Sequence, residues 1–552
     1  RSACSNHQED MTQLETLIQQ ARSWIAQDPD AETVAELEKL ISESDEAGLL
    51  DRFGQRIGFG TAGLRGLLGA GPNRMNRVLV AQAAAGISKY LKENFDDPSV
   101  VIGYDARKNS DVFAKDSAQI FAGFGIRAHL FPELAATPLV AYAVRNLGAS
   151  AGVMVTASHN PPGDNGYKVY DFSGSQIISP VDLEIAKHID EFAKSGSVAA
   201  LARSESFVEV PTSVRSGYLQ SVSGLLNKHS TRKGIKIVYS AMHGVGASFI
   251  QEIFTLSGLA EPAQVLSQQQ PDGKFPTVSF PNPEEPGAMD QSLATAEKQQ
   301  ADLVLVNDPD ADRLAVAFKK ADGGYQQLTG DQLGLILGEE MASRASREGR
   351  AGSLACSIVS SSALSKVAEH YGFGFERTLT GFKWVSRVPN LIFGYEEALG
   401  YCVDWGQVRD KDGLSAALIV ADITSALASQ GYTLGDQLEK LMQRYGYFAT
   451  GQISMRVTDL NVIADLMKKL RTNPPAQIAG VDAVFEDMNQ GSDSLPATDA
   501  LRFTLQDGRT VIVRPSGTEP KLKCYLQAVS DNEALSEKLL AELEAAMRQV
   551  LN

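Results

Sequence analysis

Cysteine is scarce in this chain: four residues in 552, Cys4, Cys356, Cys402 and Cys524, with no C-x-x-C spacing. That argues against a disulfide framework or a zinc site and fits a reducing compartment, so a cytoplasmic location is expected. Long apolar runs are also missing. No stretch approaches the roughly eighteen residues that span a bilayer, no charged-then-apolar leader is visible, and no membrane partner is expected. An excess of positive charge is lacking as well: 51 Lys and Arg against 67 Asp and Glu give a formal net charge of -16. A nucleic acid is therefore repelled on average, while a small anion can still be held by a local cluster of Arg and Lys once salt screens the mean field.

What is present is an ordinary globular composition, 43% hydrophobic and 21% charged, in a chain too long for one core. Met11 is expected to be the native start, because helical periodicity begins just after it. Residues 11–47 read as two helices broken at Asp28-Pro29-Asp30. Leu14, Ile18, Ala21 and Ile25 share one face, as do Val34, Leu37 and Ile41. After that, short β-rich runs end in polar, glycine-bearing loops, often followed by helical stretches. The runs are 100–104, 152–156, 235–240, 303–307, 354–359, 391–395 and 511–513. This alternation predicts α/β layers, with ligands at the carboxyl ends of strands. Six prolines between 262 and 288 predict a long ordered surface loop. Residues 530–551 predict an amphipathic helix capped by Ser530 and Glu533, with Leu535, Leu539, Leu543, Met547 and Val550 as its buried stripe.

Four of the strand-end loops carry chemistry. Thr156-Ala157-Ser158-His159-Asn160-Pro161-Pro162 puts a serine in a rigid turn, placed as a nucleophile or phosphate carrier. It is not a GxSxG elbow, so an esterase reading lacks support; a turn serine bonding its own backbone is the bland alternative. Lys168 follows and can neutralise or protonate a phosphate, or be a solvated surface lysine. Asp308-Pro309-Asp310-Ala311-Asp312-Arg313 sets alternate carboxylates in an extended loop, oxygen donors that select magnesium or calcium. Arg313 and Lys319 stand where an EF-hand needs Gly and Glu. A merely solvated acidic turn is the weaker alternative, because carboxylates this close repel one another unless a cation intervenes.

Gly394-Tyr395-Glu396-Glu397-Ala398-Leu399-Gly400 offers carboxylates to vicinal sugar hydroxyls, with two surface glutamates as the alternative and Lys411 close behind. Arg514-Pro515-Ser516-Gly517-Thr518-Glu519-Pro520-Lys521 suits a nest of N–H groups around an anion, or a hairpin turn with a chance arginine. Gly58, Gly60 and Gly63 match GxGxxG. No apolar strand precedes them, and no acidic residue falls about twenty positions on, so a glycine loop carrying Arg65 towards an anion is expected instead of a dinucleotide site.

Together GTAGLRG (60–66), TASHNPP (156–162), DPDADR (308–313), GYEEALG (394–400) and RPSGTEPK (514–521) resemble the α-D-phosphohexomutase superfamily, in its order and over nearly everything after residue 40. SAMHGVG (240–246), TGFKWV (380–385) and DKDG (410–413) resemble its phosphoglucomutase-2/phosphopentomutase branch. The resemblance implies an α/β fold of four domains around a central cleft: three related mixed-sheet α/β domains plus a smaller C-terminal α+β domain. A helical arm is expected over 1–48, a phosphoserine domain over 49–206, a metal-binding domain over 207–326, a sugar-binding domain over 327–445 and a phosphate-binding domain over 446–552. It further implies that Ser158 is the phosphoserine and that Asp308, Asp310 and Asp312 bind Mg²⁺ together with it. Glu396 would bind sugar hydroxyls, and Arg514, Ser516, Gly517 and Thr518 the non-reacting phosphate. Arg65, Lys168, Arg313, Lys383 and Lys411 are implied as cationic partners, and His159 and His243 as neighbours of the cleft. Many phosphoglucomutases carry Glu-Glu-Ser where this chain has Ala398, which removes a hydrogen bond to sugar and leaves hexose against pentose open.

The activity this implies is interconversion of glucose 1-phosphate and glucose 6-phosphate through phospho-Ser158 and a sugar 1,6-bisphosphate. Pentose or mannose phosphates, or a bisphosphate synthase using an acyl-phosphate donor, are the alternatives. Small sugar phosphates are the expected partners of a monomer or weak dimer. Phosphoryl transfer asks for alignment and charge neutralisation; the serine turn and Mg²⁺ with Arg and Lys are suited to supply them, and Lys168 or His159 to take the proton. A serine-nucleophile phosphatase usually needs more than one metal, whereas the sequence shows one carboxylate cluster and few histidines. A sugar-phosphate-binding protein without activity would not need Ser158 and the aspartate triplet together. Exclusion of water is expected to need a hinge near 440–450.

Overall fold

The computed structural model describes residues 12–492, 495–517 and 521–551. Met11 and the residues before it lie outside the described residues. The described chain up to Gly217, with Met242–Val245 and Gln270–Asn282, forms one compact unit. Tyr218–Ala241, Gly246–Gln269 and the described chain from Pro283 form a second.

The first unit opens with the two helices expected over 11–47, Gln13–Ile25 and Ala31–Ser42, and a third, Glu46–Phe53, follows them. Asp30 caps the second by accepting from Glu32 N at 3.0 Å, so the break falls where the sequence put it. The first helix buries Leu17, Ala21 and Trp24, with Leu14, Ile18 and Ile25 only flanking. The buried line is displaced because Trp24 packs edge-on to Phe53 of the unforeseen third helix, with ring centroids 6.1 Å apart.

Its sheet runs Leu64–Leu67, Asp164–Asp171, Ala151–Val155, Ser99–Tyr104, Arg127–Leu130, Val208–Glu209. Ser99–Tyr104 and Ala151–Val155 are parallel neighbours, with Tyr104 opposite Val155. Their carboxyl ends therefore emerge side by side. Asp164–Asp171 lies antiparallel to Ala151–Val155 with Lys168 opposite Met154, and Arg65 on the edge strand faces Gly166. Every residue of Ala151–Val155 is buried, as expected of a strand covered on both faces.

The second unit contains three sheets. The first orders Tyr325–Gln327, Leu314–Lys319, Leu303–Asn307, Ile237–Ser240, Ala263–Gln264, and the second Gly374–Thr378, Ser353–Ser357, Leu391–Glu396, Gly400–Cys402; both mix parallel and antiparallel pairs. The third is antiparallel: Tyr447–Arg456, Lys521–Ser530, Thr510–Pro515, Leu501–Leu505, Val481–Asp487, Gln477–Ile478. Three mixed α/β sheets followed by one antiparallel sheet is the fold class the motifs implied.

Two local expectations need correction. The last helix, Glu533–Leu551, is capped by Asn532, whose Oδ1 accepts from Leu535 N at 3.1 Å; Ser530 is not the cap. Its buried line is Ser536, Leu543, Met547 and Leu551, and Leu535 in the first turn is 43% exposed. The proline-rich stretch does not run as one loop: a strand (Ala263–Gln264) and a short helix (Leu266–Gln269) precede the part that joins the first unit. Among the described residues no single helix is long and apolar enough to cross a membrane.

Candidate active site

In the first unit, strand Ala151–Val155 runs into a turn where Ser158 stands at φ 50°. This left-handed backbone costs a non-glycine residue roughly 1–2 kcal/mol. Hydrogen bonds hold it there. Ser158 N donates to Thr156 Oγ1 at 2.8 Å, Thr156 Oγ1 donates to Asp105 Oδ2 at 2.6 Å, and Asn160 N donates to Ala157 O at 3.0 Å. The serine is 3% exposed, with Oγ 3.2 Å from His159 Nδ1. An imidazole unprotonated at that nitrogen can accept the hydroxyl proton. Arg65 Nη1 donates to Asn160 Oδ1 at 3.2 Å, and buried Lys168 stands on the adjoining strand. The four candidate catalytic residues thus share one region of this unit. The glycine turn before Arg65 is obligatory: Gly63 has φ +72°, and a Cβ there would lie 1.8 Å from Tyr167 O. His243, at φ 59°, is bound to the 270–282 segment, with Nε2 2.7 Å from Thr277 Oγ1; burial pushes its imidazole below the ordinary range, against Asp272.

In the second unit, the buried strand Leu303–Asn307 delivers Asp308, Asp310 and Asp312, all at most 1% exposed, with ligand oxygens all within 4.8 Å of one another. Ala311 at φ 59° makes the turn, its N–H donating to Asp308 O at 2.9 Å, and Arg313 N donates to Asp308 Oδ1 at 2.9 Å. Three buried carboxylates so close are unfavourable without positive charge. Lys411 supplies some, with Nζ 3.2 Å from Asp312 Oδ2 and 3.7 Å from Asp410 Oδ1. Burial works against its ammonium, but Asp312, Asp410 and Glu396 outweigh that and hold it above the ordinary range. Arg313 lies 4.0 Å from Asp312 and 3.6 Å from Glu284. An oxygen-only, buried donor set of this size fits a hard divalent cation.

The loop over 394–400 adjoins this cluster, because Leu314 N donates to Leu399 O at 3.0 Å and Arg313 bridges Gly400. Glu396 Oε1 accepts from Gly381 N at 2.7 Å, which ties it to the short helix Phe382–Val385 carrying Lys383. Glu397 Oε2 accepts from Ser357 Oγ and Ser360 Oγ at 3.2 Å each; burial and Glu396 push its carboxyl up to about 7, with Lys523 opposing. Arg514 pairs with Lys523 across the last sheet, and Ser516 N donates to Lys521 O at 2.8 Å. Gly517 is exposed; Thr518 lies outside the described residues. A cavity of about 400 Å³ is lined by Glu284, Asp331, Glu397, Thr450 and Tyr525, among others. Sequence reasoning missed Asp105, Arg107, Asp410, the serines at 357 and 360, and Lys523. The first two had a signal: they follow the 100–104 run, a strand end whose loop went unread.

A fold and a pair of loops of this kind define a phosphosugar mutase, an isomerase that moves phosphate within a sugar phosphate. Models of the phosphoglucomutase/phosphomannomutase family match in order: alpha/beta/alpha domain I over residues 56–195, domain II over 216–323, domain III over 329–445 and the C-terminal domain over 462–546. The chain is 47% identical over 481 residues to a Haemophilus influenzae protein named "Probable phosphomannomutase", covering 86% of this chain and 98% of that one. It is 37% identical over 586 residues to "Phosphopentomutase" of Pongo abelii, covering 97% and 95%. The crystal structure of a phosphoglucomutase/phosphomannomutase family protein from Burkholderia thailandensis shares the fold, with a TM-score of 0.67 at 20% identity over 89% of this chain and 96% of that one. The chain belongs to the phosphoglucomutase/phosphomannomutase family of the α-D-phosphohexomutase superfamily, on its phosphoglucomutase-2-like branch.

Proposed function

We propose that this mutase interconverts glucose 1-phosphate and glucose 6-phosphate, with Ser158 carrying the transferred phosphoryl group and a sugar 1,6-bisphosphate formed between the two half-reactions. The observation that carries the reading is the serine turn: a buried hydroxyl fixed by backbone bonds, 3.2 Å from an imidazole nitrogen, in a chain of this family. When phospho-Ser158 gives its phosphoryl group to a sugar hydroxyl, the P–Oγ bond breaks as the sugar O–P bond forms, and His159 Nδ1 takes up the hydroxyl's proton and passes it to Oγ; the second half-reaction runs the same exchange in reverse. Lys168 and Arg65 neutralise phosphate oxygens. Asp308, Asp310 and Asp312, together with Ser158, would hold Mg²⁺, which would supply positive charge to offset that of the group in transfer. Lys411 and Arg313 keep the carboxylates in place. Glu396 and Lys383 orient the sugar, and Arg514, Ser516, Gly517 and Thr518 hold the phosphate that does not react. Closure that excludes water would turn on Gly446, the single residue at φ 103° between helix Leu434–Tyr445 and strand Tyr447–Arg456. The reading is of a cytoplasmic enzyme, monomeric or weakly dimeric.

One observation favours a second reading of the substrate. Ala398 offers no hydroxyl to the sugar, and of the similar proteins some are named for mannose or pentose phosphates, others as glucose 1,6-bisphosphate synthases. Rates on glucose, mannose and ribose 1-phosphates, measured side by side with catalytic bisphosphate, decide between them. Ser158→Ala is expected to abolish turnover while the protein stays folded. Turnover retained in that variant would refute the assignment.

A further inference from the structure

Strand Ser99–Tyr104 ends in Asp105-Ala106-Arg107, and its parallel pairing with Ala151–Val155 delivers these residues beside the serine turn. The side chains of Asp105 and Arg107 are each 1% exposed and lie 3.7 Å apart. Arg107 Nη1 donates to Pro161 O at 2.8 Å and Asp164 O at 3.1 Å; Nη2 donates to Ser158 O at 2.6 Å and Asn160 O at 2.5 Å. One guanidinium thus satisfies four carbonyls of the 158–164 segment. Pro161 and Pro162 have no N–H, so the segment is rich in acceptors and poor in donors. The planar fork of an arginine spans acceptors set this far apart, and the compact ammonium of a lysine does not.

Asp105 completes the frame. It accepts from Arg107 N at 3.1 Å, Ser110 Oγ at 2.8 Å and Thr156 Oγ1 at 2.6 Å, and that same Thr156 oxygen accepts from Ser158 N. Ser158 is gripped on both sides, its N–H through Thr156 and its C=O by Arg107. At φ 50° a serine does not rest unaided, so these two grips decide where Oγ points. The guanidinium is itself backed by the 270–282 segment. Phe275 places its ring centroid 4.9 Å away, and Gly273 lies so close that a Cβ would stand 2.5 Å from Ala106 O.

We propose that Arg107 is a positioning residue for phosphoryl transfer: through four carbonyl bonds it sets the Ser158 backbone and the direction of Oγ, with Phe275 holding the guanidinium in place. The proposal rests on the reading of Ser158 as phosphoryl carrier.

The test uses the full chain. Ser158 loading from glucose 1,6-bisphosphate is followed by intact mass, alongside steady-state turnover of glucose 1-phosphate. Arg107→Lys, which keeps the charge beside Asp105, is expected to lower kcat and the loading rate constant together by about 10–100-fold, with KM within about threefold, because a nucleophile misplaced by about 1 Å loses up to about 100-fold. Phe275→Leu is expected to lose about two- to fivefold in the same rate constant. Guanidinium ion, at concentrations that leave the wild type folded, is expected to raise turnover of Arg107→Ala severalfold and to leave Ser158→Ala inactive. A purely structural role would reduce the active fraction, hence the loading amplitude, and leave the rate constant alone. A folded Arg107→Lys enzyme that loads at the wild-type rate overturns the proposal, as does a loss confined to amplitude. Should Arg107→Ala fail to fold, the rate constants of Arg107→Lys and Phe275→Leu decide by the same criterion. Ser158→Ala separates the two levels: if it turns over, the carrier reading falls and this proposal with it, and if it is inactive while the Arg107 variants load normally, only the positioning role falls.

Discussion

Replacing Glu397 by glutamine removes a group whose titration the fold has displaced. Its carboxyl is buried beside Glu396 and accepts hydroxyl bonds from Ser357 and Ser360 at 3.2 Å each. Burial, then Glu396, push it from the ordinary 4.5 up to about 7, although Lys523 opposes them. The folded chain therefore keeps this proton over a range where the unfolded chain has lost it. More protons bound when folded means that stability falls as pH rises from about 4.5 to about 7 and levels off above that. A displacement of about 2.5 pH units, at about 1.4 kcal/mol each, puts the size of this effect at about 3 kcal/mol. Glutamine has nearly the same shape and no proton to lose. Melting temperatures of Glu397→Gln and wild type, compared between about pH 5 and about pH 8, should therefore diverge in the variant's favour by roughly 5–10 °C, given about 2–4 °C per kcal/mol for domains of 150–250 residues. A difference that does not change with pH, or that shrinks as pH rises, would mean that Lys523 and the serine hydroxyls stabilise the charged form, and the reasoning would fail.

Asp308→Asn should leave the fold intact and weaken Mg²⁺ binding by at least about tenfold in calorimetry, since it removes one of three buried oxygen donors; unchanged affinity would mean that the cluster is not the cation site. Gly63→Ala should cost at least about 2 kcal/mol in thermal unfolding, because its Cβ would lie 1.8 Å from Tyr167 O at φ +72°. Asp412 caps helix Gly413–Ser429 through Leu414 N and Ser415 N, and burial pushes its carboxyl up to about 6. Asp412→Ala should then cost about 1–2 kcal/mol, whereas Asp412→Asn keeps the cap and should gain on the wild type as pH rises through about 6.

The strands were legible because apolar β-branched runs between polar loops leave few choices: the 303–307 run is strand Leu303–Asn307 to the residue, and 100–104 and 391–395 each fall within one residue of theirs. The helical arm was less so. Helix Glu46–Phe53 buries Leu49 alone, so it carries no stripe to read, and the line of the first helix is set by Phe53, a contact outside any local window. At the last helix two polar residues stand near the start, and only the backbone shows which one caps. In the site, each loop could be read by itself, but not its neighbour across a parallel pair. Arg107 meets the serine turn because two strands end side by side, and Ser357 meets Glu397 because Ser353–Ser357 runs parallel to Leu391–Glu396. Those pairings join loops 51 and 40 residues apart.

The same pairings explain where backbone strain sits. Left-handed, non-glycine residues follow the strands that carry the motifs: Ser158 after Ala151–Val155, Met242 and His243 after Ile237–Ser240, Ala311 after Leu303–Asn307, and Leu399 after Leu391–Glu396. Each costs roughly 1–2 kcal/mol and persists only where its surroundings over-determine it. At four of the five the over-determination has one form. A peptide group of the left-handed residue bonds a segment remote in sequence: Ser158 O to Arg107, His243 O to Asp272 N, Ala311 O to Gly413 N, Leu399 O to Leu314 N. Asn390, just before strand Leu391–Glu396, follows the same pattern, its C=O accepting from Ser353 N at 3.2 Å, whereas Asn109 and Gln300 stand at the start and end of helices. Rigidity at the motif loops is therefore imported from other segments, so substitutions at Arg107, or at Gly413, where a Cβ would stand 2.2 Å from Arg313 O, should act on the chemistry through the backbone of those loops.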